Sequence, residues 1–226
     1  DRFDADPSAR ALVLTGADPS FCSGANVRRF DSDNEQRGSA IRDPLTWDEI
    51  DTYLAGRQDG GETDAGSVSD VPVRISRVRK PTIAAVNGHA IGLGMGLALS
   101  CDIRIASDRA EFAEAFSRMG RVPGDGSCWQ LPKLIGLSNT LMLQYTGDRI
   151  DAAEAHRINL VSRVYPHDEM MGEAMGLAER LSSGATYAMS LTKYLVQRSM
   201  SMELGESLRL AQGVQQLARR SEDHNE

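Results

Sequence analysis

The chain lacks the marks of several function classes. No apolar run approaches the roughly 18 residues a membrane span needs; the most apolar stretch, Thr82 to Cys101, is interrupted by glycines, an asparagine and a histidine. The opening Asp1-Arg2-Phe3-Asp4 is charged and has no apolar segment of the signal-peptide kind. Lysine is scarce, three in all, and there is no GxxxxGK[ST] phosphate loop. Gly92, Gly94 and Gly96 do not have GxGxxG spacing, and no GxSxG nucleophile elbow exists. Cys22, Cys101 and Cys128 are odd in number, without metal-ligand spacing and beside small or apolar residues. They read as buried thiols of a reducing cytoplasm. His89, His156, His167 and His224 form no HExxH or paired pattern, so no metal is expected. His89 alone keeps functional interest, because it lies between two glycine-rich turns.

What is present is ordinary globular material. The 226 residues, 41% hydrophobic and 25% charged, fit one sizeable folded domain and exclude wholesale disorder. The formal charge of −7 argues against general nucleic-acid affinity, which needs a basic face. That charge is local: residues 31–70 hold eleven acids against three arginines, a net of −8, which leaves +1 for the rest. The same segment is rich in Gly, Asp and Ser. It reads as a mobile surface excursion around one short helix, Leu45 to Leu54.

Arg10 to Thr15 and Thr82 to Val86 are short apolar runs closed by turns, as expected of strands buried on both faces. Asp102 to Ala106 alternates polar and apolar and reads as a third strand, Leu160 to Tyr165 as a fourth. Val71 to Val78 fits an exposed helix and Gly92 to Cys101 a closely packed one. Asp151 with Glu154 marks a helix start, and helices over about 168–182, 186–198 and 201–220 follow. Strands alternating with helices give an α/β class, with a helical cap or oligomer contact at the end.

Two strand-to-turn junctions share one logic. At Ser23-Gly24-Ala25-Asn26 and at Ile91-Gly92-Leu93-Gly94 the chain leaves a strand through residues small enough for a ligand to reach the backbone. The second junction opens a helix whose first N–H groups have no intrahelical partner and attract negative charge. Facing one another, the turns would offer two N–H groups to one oxygen, an oxyanion hole. Glycines that merely pack a helix against a sheet would give the same spacing.

Arg10-Ala-Leu-Val-Leu-Thr-Gly-Ala, Phe21-Cys-Ser-Gly-Ala-Asn, Lys80-Pro-Thr-Ile-Ala-Ala-Val-Asn-Gly-His-Ala-Ile-Gly-Leu-Gly and Cys101-Asp-Ile-Arg-Ile-Ala-Ser resemble the enoyl-CoA hydratase/isomerase (crotonase) family. So do Val122-Pro-Gly-Asp-Gly, Leu131-Pro-Lys-Leu-Ile-Gly, Thr146-Gly-Asp-Arg-Ile and Leu160-Val-Ser-Arg-Val, in order and with family spacing from about residue 10 to 220. The resemblance implies a crotonase (ClpP-like) spiral of β-β-α turns over 1–136, with a helical C-terminal trimerisation region over 137–226. It implies an acyl-CoA thioester as substrate and no cofactor beyond the coenzyme A that substrate carries. Neither nucleic acid nor membrane is an expected partner. A cytoplasmic homotrimer or hexamer (a dimer of trimers) is. Relatives begin a strand earlier and end a helix later, so both ends are expected to be trimmed.

The resemblance assigns the oxyanion hole to the N–H groups of Ala25 and Leu93. Ser23, Gly24, Asn26, Arg28, Gly92 and Gly94 are carried over as substrate-binding, Arg28 standing where a basic residue often meets the nucleotide phosphates. The two glutamates of a family hydratase fall on Gly96 and Phe116, neither of which can carry a proton. Asp125 is the best surviving carboxylate, one position after the aspartate of other members. A dry setting beside Phe116 and Trp129 would suit it to act as a base, and it would also serve as a helix N-cap. Glu114 is the second candidate: a period-two strand could point it inward, though a glutamate there more often faces solvent. Hydration fits this set less well than double-bond isomerisation or thioester hydrolysis by a single aspartate. A catalytically silent acyl-CoA binder is a further alternative, and a nucleotide-binding α/β domain a third.

Overall fold

The computed structural model describes residues 2–24, 45–56 and 70–220. Most of the acidic 31–70 segment lies outside these residues, and so do Ala25, Asn26 and Arg28. Within it, helix α2 (Trp47–Gly56) is where a helix was expected. A one-turn helix, α1 (Arg2–Ala5), opens the chain, and α3 (Asp70–Ser76) leads into the core.

Among the described residues, eight short strands form two four-stranded sheets. The first is parallel throughout, in the order β1 (Leu12–Leu14), β3 (Thr82–Val86), β5 (Ile103–Ser107), β8 (Arg163–Tyr165). The second runs β2 (Ser20–Cys22), β4 (His89–Ile91), β6 (Glu111–Ala113), β7 (Ile150–Asp151), with only β7 antiparallel. Each turn of the chain thus gives one strand to each sheet. After β3 and β4 it adds helix α4 (Leu93–Ser100) before returning to β5. This repetition is the β-β-α spiral.

Burial on both faces explains the apolar runs. Alternate residues of β3 point opposite ways: Ala84 and Val86 join the main core with Met95, Leu99, Phe112 and Leu131. Ile83 and Ala85 pack outward with Ile105 against Met170, Ala174 and Ala178 of helix α7 (His167–Ser182). β1 lies at the sheet edge and is only half-buried, a departure from the expected fully buried strand. β5 is a strand where one was expected, and within it Arg104 is buried and donates to the carbonyls of Leu99, Cys101 and Leu160.

Helix α5 (Ser127–Thr146) bends where Gly136 takes non-helical angles. Asp151 caps α6 (Ala152–Arg157) by accepting from the Glu154 N–H at 2.8 Å, as the spacing predicts. Helices α8 (Thr186–Ser199) and α9 (Leu204–Ala218) complete the C-terminal part. Strands β7 and β8, both after residue 136, pair with β6 and β5, so the sheets extend past the spiral boundary expected from sequence. Among the described residues no helix is long and apolar enough to cross a membrane.

Candidate active site

The two junctions stand side by side at the carboxyl ends of β2 and β4. Gly24 takes φ of 94°, which few side chains tolerate. A β-carbon there would lie 2.9 Å from the Ile91 carbonyl oxygen and 4.0 Å from the Leu93 nitrogen. Gly94 is pressed against β2 so closely that a β-carbon would meet the Cys22 carbonyl oxygen at 1.9 Å. Glycine here does both jobs raised by its spacing: it packs the helix on the sheet and brings the turns together.

Leu93 is the first residue of α4, so its N–H has no intrahelical acceptor. Gly92, the N-cap, supplies no side-chain cap, and its own N–H donates to the Ala113 carbonyl at 2.8 Å. Among the described residues no side-chain cap occupies that end of the helix dipole. Ser23 is exposed at the rim, Gly92 is half-buried and Gly94 is buried. Ala25, Asn26 and Arg28 lie outside the described residues.

Asp125 lies against α4 at Gly96. A β-carbon on Gly96 would stand 2.7 Å from Asp125 Cβ, 2.9 Å from its Cγ and 2.8 Å from its Oδ2. The Asp125 side chain therefore fills the volume a residue at 96 would need. One turn earlier, the Phe116 ring covers Gly92 in the same manner, at 3.5 Å from a built β-carbon. Asp125 is 3% exposed. Its Oδ1 accepts the Ser127 N–H at 3.1 Å, while Oδ2 is buried with no hydrogen-bond partner among the described residues. The N-cap of α5 is Gly126 and not Asp125, yet Asp125 still accepts from one N–H of the first turn.

Glu114 corrects the expectation of a solvent-facing side chain. It follows directly after β6, is fully buried, and accepts the Ser127 hydroxyl on Oε2 at 3.0 Å. Its Oε1 has no partner among the described residues. Burial, and then the negative charge of Asp125, push the Glu114 carboxyl up to about 8, against a smaller pull downward by the Ser127 hydroxyl. At neutral pH it is a neutral acid beside a second carboxyl.

Other expectations need revision. Trp129 does not enclose Asp125; it is exposed and carries the Lys133 ammonium over its ring. Of the three thiols, only Cys101 is buried, where desolvation raises it to about 11; Cys22 is half-buried and Cys128 exposed. His89 Nδ1 lies 3.1 Å from a Glu111 carboxylate oxygen that Arg149 also binds. Sequence reasoning missed Ser127, whose only signal is its place two residues after Asp125, where an aspartate often accepts from the backbone.

A cavity of about 990 Å³ lies elsewhere, between α8 and the segment before β3. Three of its cations are engaged: Arg10 with Thr186, Lys80 with the Phe3 and Asp6 carbonyls, Lys193 with Asp102.

A model of the enoyl-CoA hydratase/isomerase family matches residues 55–226. The chain belongs to that family. A relative from Rhizobium meliloti named "Probable enoyl-CoA hydratase" is 36% identical over 224 residues, covering 99% of this chain and 77% of the relative. The 1,2-epoxyphenylacetyl-CoA isomerase of Escherichia coli is 30% identical over 225 residues, 100% of this chain and 79% of that protein. Among solved structures, an enoyl-CoA hydratase subunit from Geobacillus kaustophilus superposes with a TM-score of 0.81 at 33% identity, covering 100% of this chain and 78% of the other. The spiral is thus the crotonase fold, and the hydratase/isomerase family is the frame in which Asp125 and Glu114 are to be understood.

Proposed function

We propose that the protein isomerises a carbon–carbon double bond in an acyl-CoA thioester through an enolate. The supporting observation is the buried Asp125 carboxyl, one oxygen unpartnered, seated over Gly96 beside the Leu93 helix start. Asp125 takes a proton from the acyl chain, and the C–H electron pair passes into the thioester enolate. The N–H groups of Leu93 and Ala25 hold the enolate oxygen, with more strength in the transition state than in the ground state. Asp125 then returns the proton to a different carbon, so one base suffices. Hydration would need an acid and a base flanking a water, and the positions a family hydratase uses hold Gly96 and Phe116. The isomerase name of the Escherichia coli relative favours the same class.

Ser23, Gly24, Asn26, Arg28, Gly92 and Gly94 line the path of the coenzyme A portion, which is part of the substrate. No further cofactor is invoked, and among the described residues no group of three or more His, Cys, Asp or Glu is placed to hold a metal. Copies assemble as homotrimers or hexamers. Exposed Trp129, Leu137, Met142 and Tyr145 on α5 and Leu204 and Leu208 on α9 support such contacts. Three free thiols support a cytoplasmic setting.

The test is Asp125→Asn, assayed on unsaturated acyl-CoA esters with CoA-ester binding followed separately. Turnover is expected to fall by about 10²–10⁴-fold with affinity kept. Retained turnover would remove Asp125 from the mechanism. Binding without turnover by the unsubstituted protein would make it a silent acyl-CoA binder instead.

A further inference from the structure

Two carboxyls share this dry site, and two neighbouring negative charges are costly there. One residue touches both. The Ser127 N–H donates to Asp125 Oδ1 at 3.1 Å and the Ser127 hydroxyl donates to Glu114 Oε2 at 3.0 Å. Gln144 Nε2 donates to that hydroxyl at 3.4 Å, which occupies a lone pair and leaves the O–H directed at Glu114. All three residues of the bridge are buried. The second oxygen of each carboxyl, Glu114 Oε1 and Asp125 Oδ2, has no partner among the described residues.

The two donors of Ser127 are not equivalent. A backbone N–H can only donate, and the acceptor it meets here is Asp125 Oδ1. The hydroxyl also donates, to Glu114, and pulls that carboxyl downward, but less than burial and the Asp125 charge push it up. We propose that Ser127 is a positioning residue that holds Glu114 and Asp125 as a one-proton pair, with the proton on Glu114 and the free oxygen of Asp125 turned to the substrate. This rests on Asp125 acting as the base. Through the reaction Glu114 keeps its proton, and only Asp125 gains one and returns it. A neutral Glu114 keeps a second negative charge away from the growing enolate.

The charged group acting on Glu114 is Asp125, on the loop before α5; the polar ones are Ser127 and, through it, Gln144, both on α5. Ionisation of Glu114 as pH passes about 8 then places two charges beside the enolate, so turnover declines on the basic side.

The experiment compares the pH dependence of kcat in the unsubstituted protein, Ser127→Ala and Glu114→Gln, and follows the protonated carboxyl by infrared titration of the ligand-free proteins. The expected result is a basic limb near pH 8 in the unsubstituted protein. Ser127→Ala is expected to move it upward by about one pH unit, since the hydroxyl that favours the ionised form is gone, and to lower kcat about tenfold with KM little changed. Glu114→Gln abolishes the limb and the protonated-carboxyl band. A Ser127→Ala limb that coincides with that of the unsubstituted protein, or no protonated carboxyl at pH 7 in the unsubstituted protein, overturns the proposal. Retained turnover in Asp125→Asn would instead overturn the assignment of the base, which the infrared titration does not depend on.

Discussion

Asp125 and Gly96 occupy one space: a β-carbon at residue 96 would come within 2.7 Å of Asp125 Cβ and 2.8 Å of Oδ2. A carboxylate that a family hydratase would carry on α4 is supplied here from the loop before α5. The two positions exclude one another. Gly96→Ala is therefore expected to displace Asp125, destabilise the fold by about 1–3 kcal/mol and lower turnover. Combined with Asp125→Gly, the stability loss should largely disappear while turnover stays lost. Thermal unfolding of the two single variants and the double variant, read as a cycle, checks this. Additive losses would show that the residues do not compete for space.

Leu93 offers a substitution that removes one hydrogen without breaking its helix. It is the first residue of α4, where proline is well tolerated because the N–H has no intrahelical partner. Leu93→Pro should keep the fold by circular dichroism yet lower kcat by about 10²–10³-fold, the usual loss for one oxyanion donor. Unchanged kcat would place the oxyanion elsewhere.

The Glu114 carboxyl ties stability to pH. Its folded value of about 8 stands above the 4.5 of the free side chain, so between them the folded state holds more protons than the unfolded one. The stabilisation is complete below about pH 4.5 and is lost as pH rises to about 8. Glu114→Gln lacks this slope. The difference in Tm between the unsubstituted protein and Glu114→Gln should therefore shrink from pH 5 to pH 8, and a constant difference would contradict a protonated Glu114.

Much of this arrangement was legible in the residues. The buried strand Thr82–Val86, the capped helix after Asp151 and the pair of small-residue turns all came from local patterns that tertiary contacts left intact. The second sheet was harder to see, because β2, β4 and β6 have three residues each, too few to show a period. Glu114 illustrates the limit most clearly. A glutamate ordinarily faces solvent, whereas here the chain has just left β6 and the side chain meets the Ser127 hydroxyl at the start of α5. Burial of a carboxyl depends on a neighbour thirteen residues away, Ser127, that no local pattern announces.

Arg104 makes a separate prediction. Its guanidinium closes carbonyls of Leu99, Cys101 and Leu160, joining the end of α4 to the segment before β8. Arg104→Met keeps the apolar stem and strands those acceptors, at a cost of about 2–4 kcal/mol. Chemical denaturation measures the loss. A change below about 0.5 kcal/mol would mean that water replaces the guanidinium without penalty.

The central claim is that Asp125 moves a proton to and from carbon while Leu93 holds the enolate oxygen. Exchange of acyl-chain hydrogens tests it without knowledge of the natural acyl group. An unsaturated acyl-CoA incubated with the protein in D2O and examined by mass spectrometry should gain deuterium next to the thioester or at the γ-carbon. Asp125→Asn, which still binds the ester, should leave the substrate unlabelled. Absence of label with the unsubstituted protein, or equal labelling by Asp125→Asn, would contradict the account.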